Sequence, residues 1–270
     1  MPNMNSIVGQ HDIAFIVLDT LRYDVAQHLH ETGKTPNISQ YLPDGWTKCH
    51  TPGNFTYASH QAFFAGFLPT PVTPGLHERL FAPAFAGSET TTKNTYCFDT
   101  PDIVTGLADI GYFTLCVGGV GFFSKSTALG SALPNLFQES SWSRETGVTN
   151  PDSTKVQIDV IQEKLHHHPD TDNVFLFLNI SALHQPNYFY LSDKKSKKDT
   201  IASHAAALEY VDQELGRLFD LLRSRGDTFV IICSDHGTAY GEEGFYGHRN
   251  SLSVVMEVPY AHFMLNKKSL

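Results

Sequence analysis

The chain has 270 residues, of which 41% are hydrophobic and 17% charged, and its formal net charge is −9. This length and composition allow a substantial buried core, whereas the acidic balance argues against nucleic acid as a partner, because phosphate contacts need a basic face. No segment approaches the roughly 18 consecutive apolar residues of a transmembrane helix, so we expect no membrane span. The four cysteines form no C-x-x-C pair, which favours a reducing, cytoplasmic compartment.

Strand and helix patterns alternate along the chain. Apolar runs rich in β-branched residues predict strands at 13–18, 113–117, 174–180, 228–233 and 258–265. Helical periodicity predicts helices at about 23–31, 56–65, 101–109, 154–166 and 200–225. This alternation predicts an α/β fold, with a doubly wound, mostly parallel sheet covered by helices on both faces. We expect residues 1–270 to form a single domain.

Two of the predicted strands end in acidic residues. The run 13–18 is followed by Asp19, and the run 228–233 is followed by Ser234, Asp235 and His236. A single Asp after a strand is most often a turn former or a helix cap. However, open α/β sheets place their functional groups at the carboxyl ends of the strands. Two carboxylates and an imidazole at such ends therefore indicate a metal site.

A hydroxyl at the start of a helix is a candidate nucleophile. The segment 51–55 leads into the predicted helix that begins at Thr56. Thr56 or Ser59 would be an ordinary N-cap if the segment has only a structural role. Beside a metal ion, a hydroxyl at a helix N-terminus would instead be activated to attack an anionic ester, since the helix end attracts the anion.

Several segments, in order and over nearly the whole chain, resemble the alkaline phosphatase/sulfatase superfamily of metal-dependent hydrolases and transferases. They are 16–24 (IVLDTLRYD), 35–38 (TPNI), 56–69 (the nucleophile segment), 234–237 (SDHG), 241–248 (GEEGFYGH) and 258–259 (VP). The resemblance implies an alkaline phosphatase-like fold.

The resemblance also implies a metal-ligand set of four residues. Asp19, Thr56, Asp235 and His236 match this set, in which the oxygen of the nucleophile is itself a ligand. Three oxygens and one imidazole suit Mn²⁺, Zn²⁺ or Mg²⁺ better than a soft metal, and we expect Zn²⁺ or Mn²⁺. We therefore expect one divalent ion at this site.

Two further histidines match positions near the substrate in the family. The resemblance implies that Thr56, His184 and His248 are catalytic residues. The two histidines would assist the leaving group or bind a second metal ion. A second ion would also need a carboxylate, but Asn179 stands where that Asp is expected. The sequence therefore leaves the choice between one and two ions open.

Departures from the family pattern limit the classes of reaction that we expect at this site. Thr56 cannot be converted to the formylglycine of sulfatases, and His60 and Ala58 replace the Arg and Pro of the nucleophile motif. We therefore expect a phosphodiesterase-like hydrolase of small phosphate or phosphonate esters that acts through a covalent phospho-threonine. The alternatives are a phosphoethanolamine or phosphoglycerol transferase, a sulfatase-like hydrolase of another ester, and a non-catalytic anion-binding relative. A second copy of the chain could complete the active-site rim.

Overall fold

A computed structural model describes residues 2–66, 102–169, 172–192 and 197–268. Positions 67–69, which end the nucleophile motif, lie outside these residues. The strands are β1 (Asp12–Leu18), β2 (Thr47–His50), β3 (Phe113–Val117), β4 (Glu139–Ser141), β5 (Val174–Ile180), β6 (Thr228–Cys233), β7 (Ala239–Tyr240), β8 (Tyr246–Gly247) and β9 (Glu257–Leu265). The α-helices are α1 (Tyr23–Glu31), α2 (Pro36–Ser39), α3 (Thr56–Ala65), α4 (Ile103–Asp109), α5 (Ala128–Ala132), α6 (Ser153–His166), α7 (Ile201–Arg225) and α8 (Ser253–Met256).

The described residues form one large sheet with the strand order β2-β9-β6-β1-β5-β3-β4. Within it, β6, β1, β5, β3 and β4 run parallel to one another. β9 is antiparallel to both β6 and β2. β7 and β8 form a separate antiparallel pair. The predicted mostly parallel sheet is therefore confirmed, and each of the five predicted strands lies where its apolar run placed it.

Both faces of the sheet are buried. Ile16 and Leu18 of β1 pack in a core cluster with α1, α6 and α7, whereas Ile13 and Val17 pack in a second cluster with α3 and α4. Successive side chains of a strand point to opposite faces, so a strand covered on both sides has to be apolar at nearly every position. This explains why the central strands appear in the sequence as unbroken apolar runs, and it confirms helices on both faces.

The longest helix, α7, leads directly into β6. The Thr200 hydroxyl accepts a hydrogen bond from the Ser203 amide at 3.1 Å, and the Ser203 hydroxyl accepts one from the Thr200 amide at 2.8 Å. This reciprocal capping box fixes the start of α7. The helix ends before Gly226, and β6 begins two residues later. None of the helices in the described part of the chain is both long and apolar enough to cross a membrane.

Candidate active site at the carboxyl ends of the central strands

The predicted ligands meet because β1 lies between β5 and β6. Leu18 of β1 pairs with Ile180 of β5, and Val17 pairs with Cys233 of β6, so the three strands end at the same edge of the sheet. Asp19 follows β1 directly, and Asp235 follows the end of β6 by two residues. The register of the central strands thus brings together carboxylates that are more than 200 positions apart in the sequence.

A buried cluster of three residues lies at this edge. Asp19, Asp235 and His236 are fully buried, and each offers a ligand atom that lies within 4.8 Å of the other two. The Thr56 hydroxyl oxygen lies 3.3 Å from Oδ2 of Asp19 and 3.3 Å from Nε2 of His236. All four residues of the expected ligand set therefore converge on one point.

The donor atoms of this cluster suit a divalent cation. Oδ1 of Asp19 and Oδ2 of Asp235 are buried and have no hydrogen-bond partner among the described residues. Burial raises the pKa of Asp19 to about 6, with the charge of Asp235 as a second cause, and raises the pKa of Asp235 to about 7. A buried, unpaired carboxylate is costly, whereas a cation satisfies its free lone pairs. Oxygen and imidazole donors are typical of Zn²⁺ and Mn²⁺.

Hydrogen bonds hold Asp235 at both its carboxylate and its backbone. Oδ1 accepts hydrogen bonds from the amides of Thr20, at 3.2 Å, and His236, at 3.0 Å. The carbonyl oxygen accepts hydrogen bonds from the hydroxyl of Ser59, at 2.7 Å, and from that of Thr51. Thr20 adopts a φ of +67°, an uncommon value for a residue with a side chain. These contacts orient the free Oδ2 of Asp235 towards the cluster.

The Thr56 hydroxyl does not cap the N-terminus of α3. The N-cap of α3 is Phe55, which has an extended backbone and makes no side-chain capping bond. Thr56 is the first residue of the helix, and Ser59 bonds the carbonyl of Asp235 instead. The N-cap alternative for Thr56 and Ser59 is therefore wrong. The Thr56 hydroxyl points from the helix N-terminus towards Asp19 and His236.

His236 is prepared to act as a neutral ligand. Its Nδ1 donates a hydrogen bond to the Gly237 carbonyl at 2.9 Å, so the proton resides on Nδ1 and the lone pair of Nε2 faces Thr56. Burial lowers the pKa of the imidazole. A backbone carbonyl that fixes the tautomer in this way is typical of histidines that bind metal ions.

Asn179 supports the cluster from β5. Its Nδ2 donates a hydrogen bond to Oδ2 of Asp19 at 3.1 Å. Its Oδ1 accepts hydrogen bonds from the amides of Gly119, at 3.3 Å, and Val120, at 3.1 Å. The sequence marked this position only as the place of a missing Asp. In the structure a neutral amide occupies it and orients Asp19.

His184 and His248 lie beside the cluster. Their ring centroids are 5.7 Å apart, and that of His248 is 4.5 Å from that of His236. Nδ1 of His184 donates to the Gln185 carbonyl at 2.6 Å. Burial, followed by the charges of His236 and His184, lowers the pKa of His248 to about 3. In the described part of the chain, the group of three converging ligands does not include either histidine.

His60 occupies the motif position at which the family carries an arginine. Its side chain is fully buried, and its Nδ1 donates to the Thr56 carbonyl at 2.7 Å. The ring makes edge contacts with Phe123 and Phe177 at centroid distances of 5.5 Å. Burial lowers the pKa of His60 to about 3. The imidazole is therefore neutral at physiological pH, and α3 gains no cation from this position.

A cavity of about 690 Å³ opens beside Thr56. Its polar lining includes Thr56, His184, His248 and Arg249. Its apolar lining is formed by Phe55, Val120, Phe122, Leu129 and Val148. The cavity can therefore hold an ester whose reacting group faces Thr56 while its organic part contacts an apolar wall.

Comparisons with known proteins identify the family to which the chain belongs. Residues 11–253 match the sequence profile of the family described as Sulfatase, and the chain belongs to this family. This confirms the resemblance to the sulfatase-like branch of the alkaline phosphatase superfamily, whose members act on phosphate and sulfate esters. No curated protein matches the chain.

Solved structures share the fold at low sequence identity. The C-terminal periplasmic domain of phosphoethanolamine transferase EptC from Campylobacter jejuni is 16% identical with a TM-score of 0.63, over 94% of this chain and 79% of that one. The soluble domain of lipooligosaccharide phosphoethanolamine transferase A from Neisseria meningitidis is 15% identical with a TM-score of 0.64. The match covers 94% of this chain and 76% of that one. The C-terminal periplasmic domain of EptC from Escherichia coli, solved in complex with Zn, is 12% identical with a TM-score of 0.62. The match covers 96% of this chain and 73% of that one. These similarities confirm the alkaline phosphatase-like fold.

Proposed function

We propose that this chain is a metal-dependent transferase that moves a phosphorus-containing group from an ester donor to an alcohol acceptor through Thr56. The observation that carries the proposal is the position of the Thr56 hydroxyl, 3.3 Å from both Asp19 and His236, at the first residue of α3. The structural similarity to two phosphoethanolamine transferases favours this alternative over the phosphodiesterase hypothesis. Hydrolysis uses the same chemistry with water as the acceptor.

The proposed reaction has two steps, and in each one bond to phosphorus forms as another breaks. The Thr56 hydroxyl loses its proton, and Oγ1 forms a bond to phosphorus while the bond from phosphorus to the donor oxygen breaks. The donor oxygen takes up a proton and leaves as an alcohol. An acceptor hydroxyl then attacks phosphorus and gives up its proton, the bond to Oγ1 breaks, and the threonine is regenerated. A covalent phospho-threonine links the two steps.

The chain supplies three kinds of support for these steps. Asp19, Asp235 and His236 would hold the metal ion, which promotes loss of the hydroxyl proton and neutralises charge on the phosphoryl oxygens. The N-terminus of α3, where Thr56 lies, would stabilise negative charge on the same oxygens. His184 and His248 line the same cavity as Thr56 and would contact the donor or acceptor oxygen.

The test supplies the Zn²⁺-loaded protein with an aryl phosphodiester and measures alcohol release and transfer to added glycerol separately. The wild type is expected to form phosphoglycerol products, whereas Thr56→Ala is expected to form none. Thr32→Ala, which removes an exposed hydroxyl at the end of α1, serves as the matched control and should behave as wild type. Equal turnover by Thr56→Ala and wild type would contradict the proposal.

Sulfate ester hydrolysis through formylglycine is excluded by the residue at the nucleophile position. Thr56 carries a methyl group that would leave a ketone rather than an aldehyde after oxidation at Cβ. We therefore expect no formylglycine-dependent turnover of aryl sulfates, although the family carries the description Sulfatase.

A further inference from the structure

The nucleophile helix α3 contributes no positively charged side chain to the cavity beside Thr56. Esters of phosphorus are anionic, and the family pattern places an arginine four residues after the nucleophile. Here that position is His60, which is fully buried, neutral and bonded to the Thr56 carbonyl. Among the described residues that line the cavity, Arg249 is the one with a permanent positive charge.

The segment that carries Arg249 is tied to the segment that carries Thr56. The Arg249 amide donates a hydrogen bond to the Asn54 carbonyl at 2.9 Å. Nδ2 of Asn54 donates to the Asn250 carbonyl at 3.2 Å. Asn54 lies two positions before Thr56, so these bonds fix the backbone of Arg249 relative to the nucleophile.

Arg249 has an unfavourable backbone conformation for its residue type. Its φ is +67°, in the left-handed region that glycine adopts without strain. Strained residues of this kind concentrate at functional sites, where the surrounding structure holds them in place. A glycine would fit this backbone better, so the arginine is present at a conformational cost, as Thr20, Lys125 and Glu243 are elsewhere in the described chain.

The lining of the cavity gives the ligand an orientation. One wall is apolar and is formed by side chains that include Phe55, Phe122 and Leu129, whereas Thr56 and Arg249 contribute polar groups. An ester enters with its anionic oxygens towards the polar groups and its organic substituent against the apolar wall. A guanidinium suits this task because its donors match two oxygens of a phosphoryl group at once.

We propose that Arg249 binds the anionic oxygens of the ester substrate and replaces the arginine that α3 lacks, so that the site favours anionic esters with an apolar or aromatic substituent. The reaction itself rests on the proposed function. The binding of the anion does not, because a non-reactive anion of the same shape would occupy the same position.

The kinetic test compares wild type, Arg249→Gln and Arg249→Lys on an aryl phosphodiester with Zn²⁺ present. Arg249→Gln is expected to raise KM about tenfold or more while kcat changes little, because the contact is made in both the bound substrate and the transition state. Arg249→Lys is expected to recover part of the loss. Lys34→Gln removes one exposed positive charge near the end of α1 and is expected to match wild type. An unchanged KM in Arg249→Gln overturns the proposal.

A binding test separates this inference from the proposed function. Phenylphosphonate, which cannot be turned over, is titrated into the same Zn²⁺-loaded proteins by calorimetry. Binding by wild type that weakens about tenfold in Arg249→Gln supports the inference even if no ester is turned over. Equal affinity in the two proteins, or no binding by wild type, overturns it even if the transferase activity is present.

A third variant distinguishes a loss of anion binding from a loss of folding. Arg249→Gly relieves the left-handed backbone, so its melting temperature is expected to rise above that of wild type. It is also expected to bind phenylphosphonate as weakly as Arg249→Gln. A variant that is more stable but binds less tightly shows that the side chain is kept for the anion, whereas full affinity in Arg249→Gly contradicts the proposal.

Discussion

The hydroxyl of Thr56 lies 3.3 Å from the Asp19 carboxylate, although the two residues belong to different elements of the fold. Asp19 directly follows the central strand β1, and Thr56 begins the helix α3. Their contact places a weak nucleophile next to a buried carboxylate that has a free oxygen. A hydroxyl in this position becomes reactive when a cation joins the two groups.

Replacing Thr56 tests the nucleophile. Thr56→Ala is expected to lower turnover by at least about 10³-fold, because the atom that forms the covalent bond is lost. Thr56→Ser keeps the hydroxyl at the first position of α3 and is expected to retain a measurable part of the activity. Steady-state assays of the Zn²⁺-loaded proteins measure both, and circular dichroism checks that both fold. Equal losses in the two variants would argue against a role for the hydroxyl.

The stability that Asp19 and Asp235 contribute to the metal-free protein is expected to be lost as the pH rises from about 4 to 7. Burial raises the pKa of Asp19 from 3.8 to about 6 and that of Asp235 from 3.8 to about 7, so the folded state binds protons that the unfolded state releases. This contribution to stability is complete below pH 3.8 and disappears as the pH passes through the folded pKa values. The buried His60, His204 and His248, whose pKa values are lowered, act in the opposite direction. The difference in melting temperature between wild type and Asp235→Asn, followed over this pH range in a chelator, therefore measures the part due to Asp235.

Added Zn²⁺ is expected to raise the melting temperature most at pH 7 and above, because the ion then replaces no protons. Asp235→Asn is expected to raise the stability of the metal-free protein at pH 8 and to abolish the shift caused by Zn²⁺. Asp44→Asn changes an exposed acidic residue and is the control. A shift by Zn²⁺ that survives in Asp235→Asn would place the ion elsewhere.

Asn179 is expected to control metal affinity without binding the ion. Asn179→Ala removes the donor to Asp19 and leaves the amides of Gly119 and Val120 without their acceptor. Loss of such an orienting partner costs roughly 10- to 100-fold in metal affinity. Competition with a fluorescent chelator measures the dissociation constant. Unchanged affinity in Asn179→Ala would mean that Asp19 is oriented by other contacts.

Gly237 is expected to be sensitive to any side chain. A Cβ at this position would lie 1.9 Å from the Val254 carbonyl oxygen, a backbone atom that cannot move freely. We expect Gly237→Ala to reduce the free energy of unfolding by about 3 kcal/mol or more. Gly106 lies within α4, where a Cβ meets nothing within 4 Å. Gly106→Ala is therefore expected to stabilise the protein by about 0.5–1 kcal/mol, and urea denaturation measures both.

Replacing His60 by the arginine of the family motif is expected to destabilise the protein. His60→Arg would bury a cation among Phe63, Phe123 and Phe177, in a position with no exposed surface. Oδ2 of Asp235 lies 3.7 Å from Nδ1 of His60, so the guanidinium would compete with a metal ion for this carboxylate. We expect a lower free energy of unfolding, because the larger side chain does not fit its aromatic surroundings, and a loss of Zn²⁺ binding. His60→Gln, which keeps an N–H donor for the Thr56 carbonyl, should be milder. A stable and active His60→Arg would contradict the assignment of a buried, neutral role to this position.

The sequence predicted the central strands and the residues at their ends well, because their apolar runs are long and stop abruptly at polar residues. β6 and α3 have the predicted bounds at both ends. The strands β2 and β4 were missed because they are short, largely exposed and polar, and therefore have no apolar pattern.

The supporting residues of the site were harder to predict from the sequence. Thr51 and Ser59 hold the Asp235 backbone from 184 and 176 positions away, and neither has a local signal for that role. Asn179 was noticed only as an absent Asp. Arg249 was not singled out, because its importance depends on a neutral, buried His60, which only the packing of α3 shows.

The covalent step is the central claim, and trapping it is the most direct test. The Zn²⁺-loaded protein is mixed with an aryl phosphodiester, quenched in acid within the first turnover and digested, and the peptides are mapped by mass spectrometry. A phosphorus-containing adduct is expected at Thr56, on the peptide that starts α3, and none is expected in Thr56→Ala. Turnover that proceeds with no adduct, or an adduct on another residue, would contradict the covalent step.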